Sequence, residues 1–518
     1  MHSKPRIPLR ALGALCALLV LLSPLNGFAL TGAVYEVFVR SFFDADGDGL
    51  GDLRGVTEKL PYIQSLGVSG IWLMPIHPSP SYHKYDVLDY KAVDTQYGTL
   101  EDFDALAVAS DKAGLSLILD LVVNHTSSEH PWFLSALGSL AADPCGREPC
   151  AMETPCRAHN PYTGYYSFSR DGRGHPAPGA PGWTYEGQFG SHMPDLNLDN
   201  PLVRREIADV MAFWLGRGAD GFRLDAVLHY YEASPRQNAA FLAWLNAEAK
   251  RIKPSAYIVA EAWTDASLIL SYYGSGIDSL FDFPLANAGG ILVKSVLMGT
   301  GASLARRNAE WSNAVRAAHP GAKNAPFIAN HDMGRAAGML RLDTQKGKVA
   351  AAAYLLLPGV PFIYYGEELG MTGSGIDENK RLPMLWSALE GTPGMAQPPP
   401  EASQRQRLGE GVAEQEGDPD SLLHFYRGML RVRAGIEGAL EGEATAVDYG
   451  DPAVMAIRYG QGKGAVTVVQ HFGPAPAVLQ VPQGTSMPHA WDTGGGLPAL
   501  TCFTVTLAPY SGCVLISP

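Results

Sequence analysis

Three short apolar segments of this chain each end in a carboxylate, and the three carboxylates follow a regular stride. The segments are Gly221–Asp225, Tyr257–Glu261 and Phe327–Asp332. The first two acids lie 36 positions apart and the last two 71, almost twice as far. One strand–helix unit takes about 30–40 residues, so this stride is typical of a repeated β/α fold. All strands of a parallel barrel end on one face, so the three acids would meet at one site. Paired carboxylates at one site are what glycoside cleavage needs.

Five further candidate strands complete the same pattern. They are Val34–Phe42, Gly70–Pro75, Leu115–Val123, Leu280–Phe283 and Pro361–Gly366. The third is a continuous apolar run, which is typical of a strand buried on both faces of a parallel sheet. The sequence therefore predicts an α/β fold built on a (β/α)8 TIM barrel of eight strands.

One interval breaks the stride. His125 and Asp225 lie 100 positions apart, about 65 more than one strand–helix unit needs. The excess is rich in proline, glycine and aromatic residues, so we interpret residues 126–200 as a loop-rich domain inserted after the third strand. The barrel then consists of residues 30–125 and 201–440.

The pattern changes again near the C-terminus. An amphipathic helix is predicted for Leu422–Leu440, because apolar residues recur on one face. Short alternating strands follow it, and they predict an antiparallel β-sandwich domain over residues 441–518. A chain of 518 residues is too long for a single core, which agrees with several domains.

The first 29 residues have the pattern of a signal peptide. Lys4, Arg6 and Arg10 precede an apolar run, and small residues around Ala29 offer a cleavage site. An N-terminal anchor is the alternative. We expect residues 1–29 to be removed and the protein to be secreted, either extracellular or periplasmic, with no membrane attachment afterwards.

The charge balance restricts the partners. With 39 basic and 52 acidic residues the formal charge is −13, which disfavours nucleic acid and anionic membranes and suits a neutral substrate. We expect a monomer.

Cysteines can pair in an exported protein. Cys502 and Cys513 flank an apparent hairpin and are the preferred pair, while Cys145, Cys150 and Cys156 offer a second pair and leave one thiol over.

Four blocks carry a resemblance to a known family. They are Asp120–His125, Gly221–Asp225, Ala260–Trp263 and Asn330–Asp332. In this order, with a domain-sized insert between the first two, they resemble glycoside hydrolase family 13, the α-amylase family. The resemblance covers nearly all of the chain after residue 29. It implies a barrel with an inserted domain B and a C-terminal β-sandwich.

By this resemblance the three acids take separate catalytic roles. Asp225 matches the nucleophile, Glu261 the general acid/base, and Asp332 the acid that stabilises the transition state. Arg223 lies two positions before Asp225 on the same side of the strand, so its charge would help keep that acid ionised. Glu261 must start protonated, so its pKa should lie above that of ordinary glutamate.

The same resemblance supplies the residues that bind the sugar. Tyr85 matches an aromatic residue that stacks on the sugar ring. Arg335 is a candidate to orient Asp332 because it follows that acid in the sequence. The expected substrate-binding residues are His83, Tyr85, Asp86, His125, Arg223, His229, His331 and Arg335. Taken singly, an Asp at a strand end is more often a helix cap or turn residue, and an aromatic there is more often barrel packing.

An acidic, glycine-rich loop suggests a calcium site. Asp44, Asp46, Asp48 and Asp52 stand at alternate or near-alternate positions, and the carbonyl of Leu50 would join them. An EF-hand loop needs a Glu at its twelfth position, which is Gly55 here, so this loop is not an EF-hand. A solvated acidic turn is the alternative. The resemblance implies a second Ca²⁺ site at Asn124, Asp195 and the carbonyl of His229.

Three positions bear on linkage specificity. The family resemblance associates Met193 and Ala226 with α-1,4 cleavage, whereas Leu228 departs from the lysine of many α-amylases. We therefore expect a retaining α-amylase that hydrolyses α-1,4-glucosidic bonds in starch and maltooligosaccharides. The family resemblance also associates an Asp at the position of Asp86 with exo-acting α-glucosidases. The alternative is therefore an exo-acting α-glucosidase or a transglycosylating relative that acts on short maltooligosaccharides. A catalytically inactive carbohydrate-binding protein is the third possibility, and the intact acids argue against it.

Overall fold

A computed structural model of the protein describes residues 30–140, 156–232, 234–389, 391–406 and 409–518. The predicted signal peptide, Cys145 and Cys150 lie outside these residues. Within them, no helix combines the length and the apolar character needed to cross a membrane.

The first part of the barrel follows the predicted strand–helix alternation. It contains β1 (Val34–Val37), α1 (Leu53–Glu58), α2 (Leu60–Leu66), β2 (Gly70–Leu73), α3 (Leu100–Lys112) and β3 (Ser116–Leu121). Local sequence sets where these helices begin. Asp52 caps α1 by accepting a hydrogen bond from Gly55 N (2.8 Å), and Thr99 and Asp102 cap α3 reciprocally.

An inserted domain separates β3 from the next barrel strand. It contains α4 (Pro131–Leu140) and the short strands β4 (Phe168–Ser169), β5 (His175–Pro176) and β6 (Thr184–Tyr185). The three strands form one antiparallel sheet in the order β4-β6-β5. The ring of Phe133 packs edge to face with the rings of Tyr166 and Tyr185. A bridge between His125 and Asp195 ties the insert to the barrel.

The second part of the barrel completes the repeat. Its strands are β7 (Gly221–Leu224), β8 (Tyr257–Ala260), β9 (Ser279–Phe281), β10 (Lys323–Ala325) and β11 (Phe362–Tyr364). Its helices are α5 (Pro201–Gly216), α6 (Pro235–Ile252), α7 (Ala266–Tyr272), α8 (Ile291–Met298), α9 (Gly301–Ala318), α10 (Ala336–Met339), α11 (Thr344–Leu355), α12 (Asp377–Lys380), α13 (Val412–Glu416) and α14 (Leu422–Leu440). The helix predicted for Leu422–Leu440 is confirmed.

The eight parallel strands form one sheet in the order β10-β9-β8-β7-β3-β2-β1-β11. Two backbone hydrogen bonds join its ends and close the barrel, Val360 N to Asn324 O (2.8 Å) and Phe362 N to Pro326 O (2.9 Å). The TIM barrel prediction is confirmed. However, β10, the seventh strand of the barrel along the chain, begins at Lys323, four residues before the predicted Phe327. The buried amide of Asn324 can lie in a strand because it hydrogen-bonds Trp311 and Asp282.

The C-terminal domain is antiparallel, as predicted. Its strands are β12 (Ala444–Ala446), β13 (Val454–Tyr459), β14 (Val466–His471), β15 (Ala477–Gln480), β16 (Ser486–Trp491), β17 (Ala499–Leu500), β18 (Thr504–Leu507) and β19 (Gly512–Ile516). They form a five-stranded and a three-stranded sheet, in the orders β12-β13-β14-β19-β16 and β15-β18-β17.

The predicted Cys502–Cys513 disulfide is wrong. Both thiols are free, because β18 and β19 belong to different sheets and do not form a hairpin. Cys513 is buried in the core between the two sheets, whereas Cys502 is exposed in the turn before β18.

Candidate active site

The three predicted catalytic acids lie at the carboxyl ends of barrel strands and share one cleft. Asp225 follows β7, Glu261 follows β8, and Asp332 lies beyond β10. The cleft has a volume of about 380 Å³. Seven of the predicted site residues line it: His83, Tyr85, His125, Asp225, His229, Glu261 and Asp332. A second cavity, of about 320 Å³, is lined by Glu367 and Tyr426 among others and includes none of the predicted site residues.

Arg223 is buried behind the cleft and connects three carboxylates. Its Nη1 donates to Asp225 Oδ1 (2.6 Å) and to both oxygens of Asp120 (2.8 and 3.0 Å). Its Nη2 lies 2.8 Å from Glu261 Oε2. One guanidinium therefore holds the nucleophile candidate and the acid/base candidate close together. Asp120 was not predicted as a site residue, although it lies in the first sequence block, and burial raises its pKa to about 7 despite the opposing charge of Arg223.

Glu261 is protonated more readily than an ordinary glutamate. Burial raises its pKa to about 6, and the charges of Asp225 and Asp332 act in the same direction, while Arg223 opposes them. Ala226 N also donates to Glu261 Oε2 (3.1 Å). That amide points at Glu261 because Ala226 has a left-handed backbone (φ 50°), which a residue other than glycine rarely adopts. The environment thus prepares Glu261 to give a proton near neutral pH.

Asp332 is held by two cationic partners. Its Oδ2 lies 3.0 Å from His331 Nε2, and its Oδ1 accepts from Arg381 Nη2 (2.8 Å). Burial alone would raise the pKa of Asp332, but His331 and Arg381 outweigh it and hold the pKa well below the usual range. His331 Nδ1 in turn lies 2.5 Å from Glu36 Oε1. Asp332 is therefore ionised, as a group that stabilises positive charge must be.

The predicted role of Arg335 is wrong. Arg335 donates to the carbonyls of Tyr365 (2.6 Å) and Lys380 (2.9 Å) and stacks on the rings of Tyr364 and Tyr365. Arg381 takes the predicted place beside Asp332 in the part of the chain that the structure describes. Arg381 lies 49 positions from Asp332, so no local sequence pattern connects the two residues.

Some of the residues expected to bind the sugar line the cleft, and others lie outside its lining. Tyr85 lines the cleft, and its hydroxyl contacts His331 Nε2 (2.7 Å) and donates to Asp120 Oδ2 (3.0 Å). His125 Nε2 is buried with no hydrogen-bond partner among the described residues, so a sugar hydroxyl could satisfy it. Asp86 instead lies beneath the cleft and accepts from the hydroxyls of Ser79 (2.6 Å) and Ser81.

Aromatic and apolar side chains form the rest of the cleft. Trp263 is 48% exposed, lines the cleft, and stacks on Phe283 at 5.2 Å. Phe189 from the inserted domain packs between His125 and His229, 5.1 Å from each ring. Trp263 and Phe189 were not predicted as site residues. An aromatic residue two positions after a catalytic acid is a signal that could have identified Trp263. Leu228 also lines the cleft.

The first candidate calcium loop places three acids together. Ligand oxygens of Asp44, Asp46 and Asp48 all lie within 4.8 Å of one another. These are the hard oxygen donors that Ca²⁺ prefers, so the donor set fits the ion. Asp52 is not part of this cluster, and its carboxylate accepts from Ala45 N and Gly55 N (both 2.8 Å). Leu50 lies in the loop, and its amide donates to Asp48 (2.7 Å).

The second predicted calcium site is arranged differently. Asn124 Nδ2 donates directly to Asp195 Oδ1 (3.1 Å), and Gln188 N donates to Asp195 Oδ2 (2.9 Å). The ring of His229 packs against Phe189. Both oxygens of Asp195 thus have protein donors, and burial raises the pKa of Asp195 to about 7. The second site stays a prediction.

Comparison with known proteins agrees with this geometry. Residues 36–440 match the family model described as the α-amylase catalytic domain. The chain is 36% identical to "Alpha-amylase 3" of Dictyoglomus thermophilum, over 82% of this chain and 81% of that protein. It is 32% identical to "Trehalose synthase/amylase TreS" of Mycobacterium tuberculosis, over 87% and 83%. The solved structure "Eubacterium rectale Amy13B" superposes with a TM-score of 0.89 at 39% identity, over 95% and 96%.

Proposed function

The chain belongs to the α-amylase family of glycoside hydrolases, and on that premise we propose that it is an α-amylase. It hydrolyses α-1,4-glucosidic bonds in starch and maltooligosaccharides with retention of configuration. The observation that carries the proposal is the contact of Arg223 with both Asp225 and Glu261 at the base of the cleft. Retaining enzymes need their two carboxyl groups only about 5–5.5 Å apart, and a shared guanidinium holds them close.

Two steps follow from this arrangement. In the first, Asp225 attacks the anomeric carbon while protonated Glu261 gives its proton to the departing glycosidic oxygen. In the second, ionised Glu261 takes a proton from water, which attacks the glycosyl-enzyme and frees Asp225. The pKa of Glu261, raised by burial to about 6, allows both the acid role and the base role near neutral pH.

Three neighbouring groups stabilise the sugar between these steps. Ionised Asp332 faces the positive charge that develops on the ring. Tyr85 offers an aromatic face to the sugar, and the unpartnered Nε2 of His125 binds a hydroxyl group. The inserted domain contributes Phe189 and Met193 to the lining of the cleft.

The α-1,4 assignment depends on side chains beside the nucleophile. Met193, Ala226 and Leu228 all line the cleft, and the first two favour α-1,4 cleavage by family resemblance. Leu228 offers no hydrogen bond to a sugar beyond the cleavage point, and the similarity to a trehalose synthase/amylase keeps a transglycosylating relative as the second candidate.

Product analysis tests the proposal. The wild-type protein should degrade soluble starch and a blocked maltooligosaccharide, and NMR should show the α-anomer first. Asp225→Asn should lose at least about a thousandfold in kcat. Asp104→Asn, which alters a surface carboxylate paired with Arg217, should retain activity. Turnover of nitrophenyl glucoside alone would favour the α-glucosidase. Equal starch hydrolysis by Asp225→Asn and wild type would contradict the assigned site.

We further propose that the acidic loop binds Ca²⁺. Asp44, Asp46 and Asp48 would hold the ion, and its positive charge would compensate the negative charges of these three carboxylates. The loop also joins the segment at 394–397, since Asp44 N donates to Gly394 O (2.9 Å) and Gln397 N to Gly49 O (2.7 Å). A bound ion would therefore fix this connection between two distant parts of the barrel.

Export is also a proposal. Its support is the basic and apolar pattern of residues 1–29. Recovery of an extracellular or periplasmic protein that starts near residue 30 would agree with it, and a cell-associated protein with an intact N-terminus would contradict it.

A further inference from the structure

Glu36 is a buried carboxylate outside the substrate cleft. It lies in the barrel strand β1, where all four residues are buried, and it is 1% exposed. Its Oε1 accepts from His331 Nδ1 (2.5 Å) and from His331 N (3.4 Å). A buried carboxylate is costly unless it is paired and hydrogen-bonded, so the position of Glu36 depends on His331.

His331 stands between Glu36 and the substrate side of the site. Its Nε2 lies 3.0 Å from Asp332 Oδ2 and 2.7 Å from the Tyr85 hydroxyl. The ring is fully buried, stacks on Tyr85 at 5.6 Å and meets the edge of Trp72. Because the Tyr85 hydroxyl donates to Asp120, it accepts from His331.

Only one protonation state of His331 satisfies all of these contacts. The imidazolium donates from both ring nitrogens, whereas neutral imidazole donates from one. A neutral ring that donates to Glu36 would turn an Nε2 lone pair toward the carboxylate of Asp332. Burial lowers the pKa of His331, but the charges of Asp332 and Glu36 outweigh it and raise the pKa to about 10.

Other charged groups around His331 do not replace Glu36. Arg381 Nε donates to the His331 carbonyl (3.2 Å), and Arg223 lies beyond Tyr85. Both are cations and would oppose a second positive charge on the ring. Asp120 contacts the ring only through the Tyr85 hydroxyl. Glu36 is thus the carboxylate that faces Nδ1 directly.

We propose that Glu36 is a positioning residue that keeps His331 doubly protonated, so that His331 fixes both Asp332 and the Tyr85 hydroxyl against the sugar. This inference rests on the proposed function for its catalytic consequence. Glu36 acts entirely through His331 and touches no reacting atom.

The test uses Glu36→Gln, which keeps the shape of the side chain and removes its charge. Titration of ¹⁵N-histidine-labelled protein by NMR, with His331→Gln for assignment, should show the pKa of His331 falling by about 1–3 units. The kcat for a blocked maltooligosaccharide should fall about 10–100-fold, the range found when a residue that orients a metal-bound histidine is changed, with a smaller change in KM.

Glu368→Gln is the matched control. Glu368 is also fully buried near the barrel strands, but its partners are the hydroxyls of Tyr35 and Tyr62 (both 2.6 Å). This substitution should leave the titration of His331 unchanged, even if the melting temperature falls.

A double-mutant cycle decides whether Glu36 acts through His331. Adding Glu36→Gln to His331→Gln should cause no further loss of kcat. An unchanged titration of His331 in Glu36→Gln, or additive losses in the double variant, would overturn the inference. The titration needs no substrate, so a failure of the wild type to cleave starch would refute the proposed function and leave this inference to be decided by NMR.

Discussion

Arg223→Lys should displace the alkaline side of the pH–activity profile. Lysine is a point charge and cannot contact Asp225 and Glu261 through two separate nitrogens as Arg223 does. We expect the contact with Glu261, now 2.8 Å, to be lost. A charge-assisted hydrogen bond contributes about 1.5–3 kcal/mol, and one pKa unit corresponds to about 1.36 kcal/mol.

The direction follows from the sign of the lost interaction. Arg223 lowers the pKa of Glu261, which burial has raised to about 6. Removing the contact should therefore raise that pKa by about 1–2 units. Glu261 must be protonated for the first step, so the alkaline limb of kcat/KM should move upward by the same amount. The maximum should fall, because a flexible lysine would hold Asp225 less rigidly than the 2.6 Å contact of Arg223 does.

The assay is kcat/KM for a blocked maltooligosaccharide from about pH 4 to about pH 9. Arg307→Lys is the matched control, because Arg307 pairs with the buried Asp282 (2.5 Å) away from the cleft. It should reduce the melting temperature without moving the profile. If the alkaline limbs of Arg223→Lys and wild type coincided, Arg223 would not set the pKa of Glu261, and the electrostatic reasoning would be refuted.

Two further predictions concern the cleft wall and the acidic loop. Trp263→Ala should raise KM for maltooligosaccharides about three- to tenfold, since stacking contributes about 0.5–1.5 kcal/mol. Phe503→Ala, at a 55% exposed residue of the C-terminal domain, should leave KM unchanged, and equal KM values for all three proteins would exclude a sugar platform at Trp263. Chelation of Ca²⁺ should lower the melting temperature by about 1 °C per kcal/mol lost, because the unfolding entropy of about 2.1 cal/mol/K per residue is large for a chain of this length. Asp46→Asn should lower it similarly and abolish the response to the chelator, whereas unchanged melting curves would contradict a calcium site.

The repeat that gathers the catalytic acids could be predicted because it depends on short local patterns. Strand runs such as Gly221–Leu224 and Tyr257–Ala260 are continuous in the sequence, and their acids follow at once. The strand before Asp332 was misplaced because Phe327 and Ile328 are apolar, whereas the actual strand contains Lys323 and Asn324. The burial of Asn324 is possible only through Asp282 and Trp311, which the local sequence does not show.

The supporting partners could not be predicted because they come from distant positions. Arg381 lies 49 residues from Asp332, and Glu36 lies 295 residues from His331. Arg335 was the nearest basic residue after Asp332, but the local turn sends its side chain to the carbonyl of Tyr365. A lone charge within the buried strand Val34–Val37 was the available signal for Glu36.

The left-handed backbone of Ala226 limits how linkage preference can change. The same residue lines the cleft and aims its amide at Glu261, so a substitution there acts on substrate fit and on the acid together. A left-handed conformation costs an ordinary residue about 1–2 kcal/mol, and a β-branched side chain such as valine tolerates it least. We therefore expect the effect of Ala226→Val on activity to depend strongly on the residues around it. A change in the linkage preference of the enzyme should begin with substitutions at neighbouring residues.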